Sequence, residues 1–278
     1  MKKLFALLLA VAASMGTIFA ESGTCGENLT WDLTNGILTV SGTGPMENFL
    51  PPTSADDYIT PWRKSGASIT KVVINSGVTT IGELAFAYCE SLISVEIPNT
   101  VTSIGNYAFA VCFSLSSVEI PNSVTSIGEG AFTVCPGLTS VEIPNSVISI
   151  GIYAFADCSS LTSISIGNNV TSIGNGAFVG CSGLTDVTCY ATTPPELGSS
   201  VWENVDCSKI PLYVPTNSVD LYKNADQWKE FNPIQPISTQ SIEDIQLDAP
   251  QSTKILREGQ LYILRGDHIF DTQGKMVR

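Results

Sequence analysis

The chain has one histidine, His268, and only 14% of its 278 residues are charged. That imidazole lies far in sequence from any cysteine or serine it could activate, so no nucleophile and base pair can be assembled. No nucleophile elbow, phosphate-cradling glycine loop or Cys-x-x-Cys pair is present, and these are the sequence forms that acyl transfer, phosphoryl transfer and zinc sites take. The expectation is a protein that is not an enzyme and holds neither cofactor nor metal. Basic side chains are scarce as well. There are 13 Lys and Arg against 26 Asp and Glu, a formal charge of −13, and such a surface repels phosphate backbones and anionic lipid heads. Nucleic acid is excluded as a partner on that ground.

Long apolar runs are missing beyond residue 20. The start, MKKLFALLLAVAASMGTIFA, has two lysines, an uncharged apolar run and Ala20 before polar residues, which is the layout of a cleaved secretory signal peptide. An uncleaved anchor is the competing reading, because residues 4–20 fall just short of a membrane span. Cys25 follows Ser22-Gly23-Thr24 rather than the large aliphatic residue that a lipidated cysteine usually has before it. After removal of residues 1–20 no transmembrane span is expected.

What the sequence does contain is one sentence written repeatedly. Five copies of a 23-residue unit begin at Ile69, Leu92, Leu115, Leu138 and Leu161, and phenylalanine returns at 86, 109, 132, 155 and 178. A period between about 20 and 50 residues marks a stacked array whose units cannot bury their apolar faces alone. Within one copy, Leu92 to Ile97 alternates around Val95 and Ile97, the pattern of a short strand with one face inward. Pro98-Asn99 removes a ladder donor and turns the chain. Val101 and Ile104 lead to Gly105, read as a corner glycine free to take positive φ. Ala108, Phe109 and Cys112 are spaced for a helical or 3₁₀ turn with one face inward.

The pattern L-x-x-V-x-I-P-x-x-V-x-x-I-G-x-x-A-F-x-x-C resembles the BspA-type leucine-rich repeat of bacterial and protozoan surface proteins, over roughly residues 69–191. The fold expected is mostly β, of the α/β leucine-rich-repeat class. It is a curved solenoid of 23-residue repeats with short parallel strands and short helical or 3₁₀ turns, plus an N-terminal β-hairpin cap and a small C-terminal β module. Residues 21–68 form the cap, with a hairpin about Asn35-Gly36. Residues 69–235 form the solenoid with degenerate closing coils, the last edge covered by a helix over about 219–231. Residues 236–253 read as a linker. Residues 254–278 alternate around Glu258-Gly259, Gly266-Asp267 and Gln273-Gly274. They are similar to the sorting modules of type IX secretion; a plain stabilising cap is the alternative.

Cys89, Cys112, Cys135, Cys158 and Cys181 also recur at 23 and should form an inward column of free thiols acting as small apolar plugs. Disulfides within the column, or between Cys189 and Cys207, are the open alternative. On the outward side, Ser94 and Glu96, Ser117 and Glu119, Ser140 and Glu142, and Ser163 and Ser165 make a candidate partner-binding face; a solvated face that discourages sheet aggregation is the bland reading. Tyr107 and Tyr153 are contact aromatics or, more simply, packing against the next coil. The BspA-type resemblance implies adhesion, with a host matrix protein or another bacterial surface as partner, and the tail's similarity to sorting modules implies display on the outer surface of a Gram-negative cell. A structural envelope protein is the alternative. A glycan-binding module is another, although the strand face has no aromatic ladder for stacking sugars.

Overall fold

In the computed structural model the described residues are 21–49, 60–62 and 68–237, together with the backbone of 253–257, 260–265 and 268–270. The expected signal peptide, most of the linker and the turns at 258–259, 266–267 and 273–274 lie outside them. The chain divides into two compact units, one ending at Ile237 and the other beginning at Ser238.

The first unit opens with three antiparallel strands, Glu21–Gly26, Leu29–Thr34 and Ile37–Gly42. Asn35 (φ 53°) and Gly36 (φ 78°) both adopt positive φ between the last two, as a tight hairpin turn requires. Ile37–Gly42 then pairs in parallel with Lys71–Ile74, which turns the cap into the floor of the stack. From there each repeat is one coil. Its first side is a strand such as Ser140–Ile143, in parallel register with Ser163–Ile166 and that with Asp186–Cys189, one repeat along each time. Proline ends the strand and opens a turn, with the N–H of Val147 donating to the carbonyl of Pro144 at 3.1 Å. A second, two-residue strand follows; Ser103–Ile104, Ser126–Ile127, Ser149–Ile150 and Ser172–Ile173 form one parallel sheet.

The third side departs from the helical turn suggested by the Ala-Phe-x-x-Cys spacing. Among the described residues no helix lies within the five repeats. Instead the N–H groups of Ala85, Ala87 and Cys89 close successive turns onto Gly82, Leu84 and Phe86, while those of Leu84, Phe86 and Tyr88 donate to Asn106, Ala108 and Ala110 of the next coil. A helix would spend every N–H on its own carbonyls; this ribbon sends alternate ones to its neighbour, so all are satisfied and the coils are tied together. Gly105 also differs from expectation. It does not take positive φ. A Cβ there would stand 2.7 Å from the backbone nitrogen of Glu83, so glycine is needed because two backbones touch.

Inside, the phenylalanine column is a stack of parallel rings. Centroids of Phe86, Phe109, Phe132, Phe155 and Phe178 are 5.2–5.5 Å apart, and each ring is fully buried. Trp62 extends the stack below and Trp202 above, and Trp31, Phe49, Trp228 and Phe231 close both ends edge-on. Burial of one such ring is worth about 1.5–3 kcal/mol.

The closing coils differ from the expected helix over 219–231. A helix spans Val219–Asn224 and a 3₁₀ turn Trp228–Glu230, separated by Ala225 in extended conformation and Gln227 at φ 62°. The break has a use. The Gln227 carboxamide accepts the N–H of Val201 at 2.9 Å and donates to the carbonyl of Gly198 at 2.6 Å, replacing the backbone of the coil that is no longer there. In the second unit, Thr253–Arg257, Gln260–Arg265 and His268–Phe270 form an antiparallel three-stranded sheet. His268 is on its last strand.

Candidate functional site

The eight cysteines are all buried free thiols, including Cys189 and Cys207. Four of the five thiols in the column also donate a hydrogen bond. Cys112, Cys135, Cys158 and Cys181 reach the carbonyls of Phe86, Phe109, Phe132 and Phe155 at 3.2–3.3 Å. Burial pushes Cys181 and Cys207 up to about 12 and Cys158 well above its ordinary value. A thiol that stays protonated is neither nucleophile nor ligand. Among the described residues no three His, Cys, Asp or Glu side chains converge to hold a metal.

The first-side strands present the expected outward columns. Ser94 lies opposite Ser117, Ser140 opposite Ser163 and Glu142 opposite Ser165. Ser117, Ser140, Glu96, Glu119 and Glu142 are exposed, while Ser94, Ser163 and Ser165 are half-buried. Glu96 is paired with Lys71 of the preceding strand, so the glutamate row begins beside a cation. An adjacent hydroxyl row is consumed by the fold: Ser116, Thr139, Thr162 and Thr185 each donate to a carbonyl of the coil before, at 2.9–3.4 Å. The row Ser94, Ser117, Ser140, Ser163 has no such bond among the described residues, and its hydroxyls are available outward.

Tyr107 and Tyr153 pack on the next coil. A Cβ at Gly130 would strike the Tyr107 ring, and one at Gly176 the Tyr153 ring. The Tyr107 hydroxyl donates to Glu129, and that carboxylate pushes the phenol up to about 12.

A feature not anticipated from the sequence lies where the first-side strands end. A cleft of about 410 Å³ is lined by Asn122, Glu142, Asn145, Ser165, Asn168 and Tyr190. Two of these, Glu142 and Ser165, belong to the outward columns already described. The cleft coincides with a lapse in the repeat: Pro-Asn at 98–99, 121–122 and 144–145 becomes Gly167-Asn168 and then Tyr190-Ala191. Pro144 and Gly167 are so close that a Cβ at Gly167 would stand 2.6 Å from the Pro144 carbonyl. The asparagine recurrence at 23 and the break at Gly167 were the available signals; which side chains would face a common cavity was not legible from spacing.

The family model for the BspA-type leucine-rich repeat region matches in six copies over residues 64–185 and 148–247. No curated protein matches the chain. Among solved structures it is similar to a leucine-rich repeat protein from Eubacterium ventriosum, at 21% identity over 73% of this chain and 83% of that one, TM-score 0.40. It is similar also to the leucine-rich repeat protein of T. pallidum, at 27% identity over 66% and 85%, TM-score 0.48. A third is the pneumococcal vaccine antigen PcpA, at 16% identity over 72% of this chain and 51% of that one, TM-score 0.44.

Proposed function

The chain belongs to the BspA-type leucine-rich repeat family, and on that premise we propose that it is a secreted adhesin whose outward first-side strands hold an extracellular macromolecule. The observation that carries the reading is the row of unspent hydroxyls and exposed carboxylates, Ser94 to Ser163 and Glu96 to Glu142, repeated in register along the stack. An extended partner meets the same chemistry at each step of ~4.8 Å, and many weak contacts add without a deep pocket. The acidic face suits a partner with basic or hydroxyl-rich segments, such as a host matrix protein or a bacterial surface protein. Residues 1–20 would direct export and residues 254–278 sorting to the outer surface of a Gram-negative cell. No helix among the described residues is long and apolar enough to cross a membrane. The reading includes no catalytic step, cofactor or metal.

The test is binding of the full chain to immobilised matrix proteins and to whole bacterial cells. The reading expects saturable, salt-sensitive binding that Glu96→Lys with Glu119→Lys weakens by roughly tenfold or more. Both substitutions leave the cleft at Tyr190 intact. Binding unchanged by the pair, or none to any such surface, removes the adhesion reading; surface display unaffected by deletion of residues 254–278 removes the sorting role.

A further inference from the structure

We propose that the cleft beside Tyr190 is a binding site for a neutral saccharide. Its lining is chemically mixed in a particular way. Asn122, Asn145 and Asn168 come from three successive coils, so their carboxamides are about 4.8 Å apart. Each offers a donor and an acceptor side by side, which is what a sugar hydroxyl, itself donor and acceptor, can use fully. The Asn145 Oδ1 already takes the Asn168 backbone N–H at 2.9 Å, and the Asn145 carbonyl takes the Asn169 side chain at 2.8 Å, so that corner is held rigid. The Asn122 and Asn168 side chains have no partner of their own among the described residues, nor do Glu142 and Ser165. Preplaced and unspent, they face the same cavity.

Tyr190 supplies the other half. It is 44% exposed at the cleft wall, and its ring offers an apolar face to the C–H side of a pyranose while the amides address the hydroxyls. The repeat makes that placement informative. Three coils have proline at the corner; it is missing from the first copy, at Asn75, and again from Gly167 to Tyr190, where its loss makes the wall of the cleft.

Competing ligand classes fit less well. A divalent cation wants about six to eight oxygens with several carboxylates among them; this cleft has Glu142 alone. A cationic peptide side chain would leave the amide donors unmatched. An acidic sugar would enter against the chain's net charge of −13. Beyond Asn168, which lines both, a second depression of about 620 Å³ is walled by Asn169, Thr171, Thr193 and Glu196. The four coils from Asn122 to Tyr190 span ~14 Å, and together with this depression they give room for more than one sugar unit.

The site shares Glu142 and Ser165 with the strand face but does not rest on protein binding. The test is calorimetric titration of the full chain with neutral oligosaccharides: maltotriose, cellotriose, mannotriose, lactose and N,N′-diacetylchitobiose. The expected result is saturable binding of at least one, unchanged by a chelator, with Tyr190→Ala and, separately, Asn168→Ala each weakening it by about tenfold. Asn122→Ala, at an exposed turn, is the variant to use should either lose its fold by circular dichroism. Glu96→Lys with Glu119→Lys should leave the saccharide affinity unchanged. Absence of binding across the panel overturns the proposal, as does binding indifferent to all three cleft variants or abolished by the chelator. Matrix-protein binding that fails while saccharide binding survives would sink adhesion through the strand face and leave the cleft standing.

Discussion

The ring of Tyr107 lies across Gly130 of the following coil, where a Cβ would stand 2.3 Å from the ring's Cε1. The same relation joins Tyr153 to Gly176 one double step along, at 2.4 Å. Tyrosine and glycine thus alternate down one corner of the stack, each ring using the space that a missing side chain leaves. Gly130 also sits at φ +55°, a conformation that costs an alanine energy.

Gly130→Ala should therefore destabilise the chain by about 1–3 kcal/mol, measured by urea denaturation. Because part of that cost is the collision, Tyr107→Ala combined with Gly130→Ala should cost less than the two changes added, a coupling that a double-mutant cycle reads. Strict additivity would show that the ring is not what excludes the side chain.

Phe132 is the middle ring of the stack, fully buried between Phe109 and Phe155. Phe132→Ala should cost about 3–5 kcal/mol. In an array stabilised by neighbour contacts the loss falls on both adjoining interfaces, so the unfolding transition should also broaden or split. Hydrogen exchange would then find the coils around residue 132 opening first.

All eight thiols should resist a thiol-specific reagent in the native state and react fully in denaturant; fewer than eight would reveal disulfides that the structure does not contain. Their burial also sets a pH dependence. The ordinary thiol value is 9.0, while Cys25, Cys181 and Cys207 are held up to about 12. Between those values the unfolded chain binds fewer protons than the native one, so stability falls as pH rises. This contribution is complete below 9.0 and is lost on the way to 12, and the urea midpoint should be lower at pH ~10.5 than at pH ~8.

Tyr222 closes the far end by donating to the Ala191 carbonyl at 2.9 Å and lying 3.1 Å from the Cys189 sulfur. Its phenol is buried, which pushes its pKa up. Tyr222→Phe keeps the ring and removes the donor, leaving a buried carbonyl unmatched. A loss of about 1–3 kcal/mol is expected, read as a lower melting temperature. In contrast, Lys71→Met, which breaks the half-exposed pair with Glu96, should change stability by less than about 1 kcal/mol.

The 23-residue period was enough to place Phe86, Phe109, Phe132, Phe155 and Phe178 in one buried column and Ser94, Ser117, Ser140 and Ser163 in an outward one. Identical units stacked in parallel must put equivalent residues above one another, and alternation along a strand sorts them by face. What repetition could not convey is how the ends are finished and how the third side is bonded. Trp62, Trp202 and Gln227 stand outside the period, yet they continue the ring stack and the backbone ladder because the coils at the two ends of the array would otherwise leave a ring face or backbone groups without a neighbour. The Ala-Phe-x-x-Cys spacing fits a helical turn and a turn ribbon alike; the neighbour's carbonyls at Asn106 and Ala108 decide for the ribbon. The cleft at Tyr190 arises likewise from four coils meeting at one corner. Periodic patterning states which face is apolar, but hydrogen-bond partners and cavities are properties of distances between coils, and those exist only once the coils have stacked.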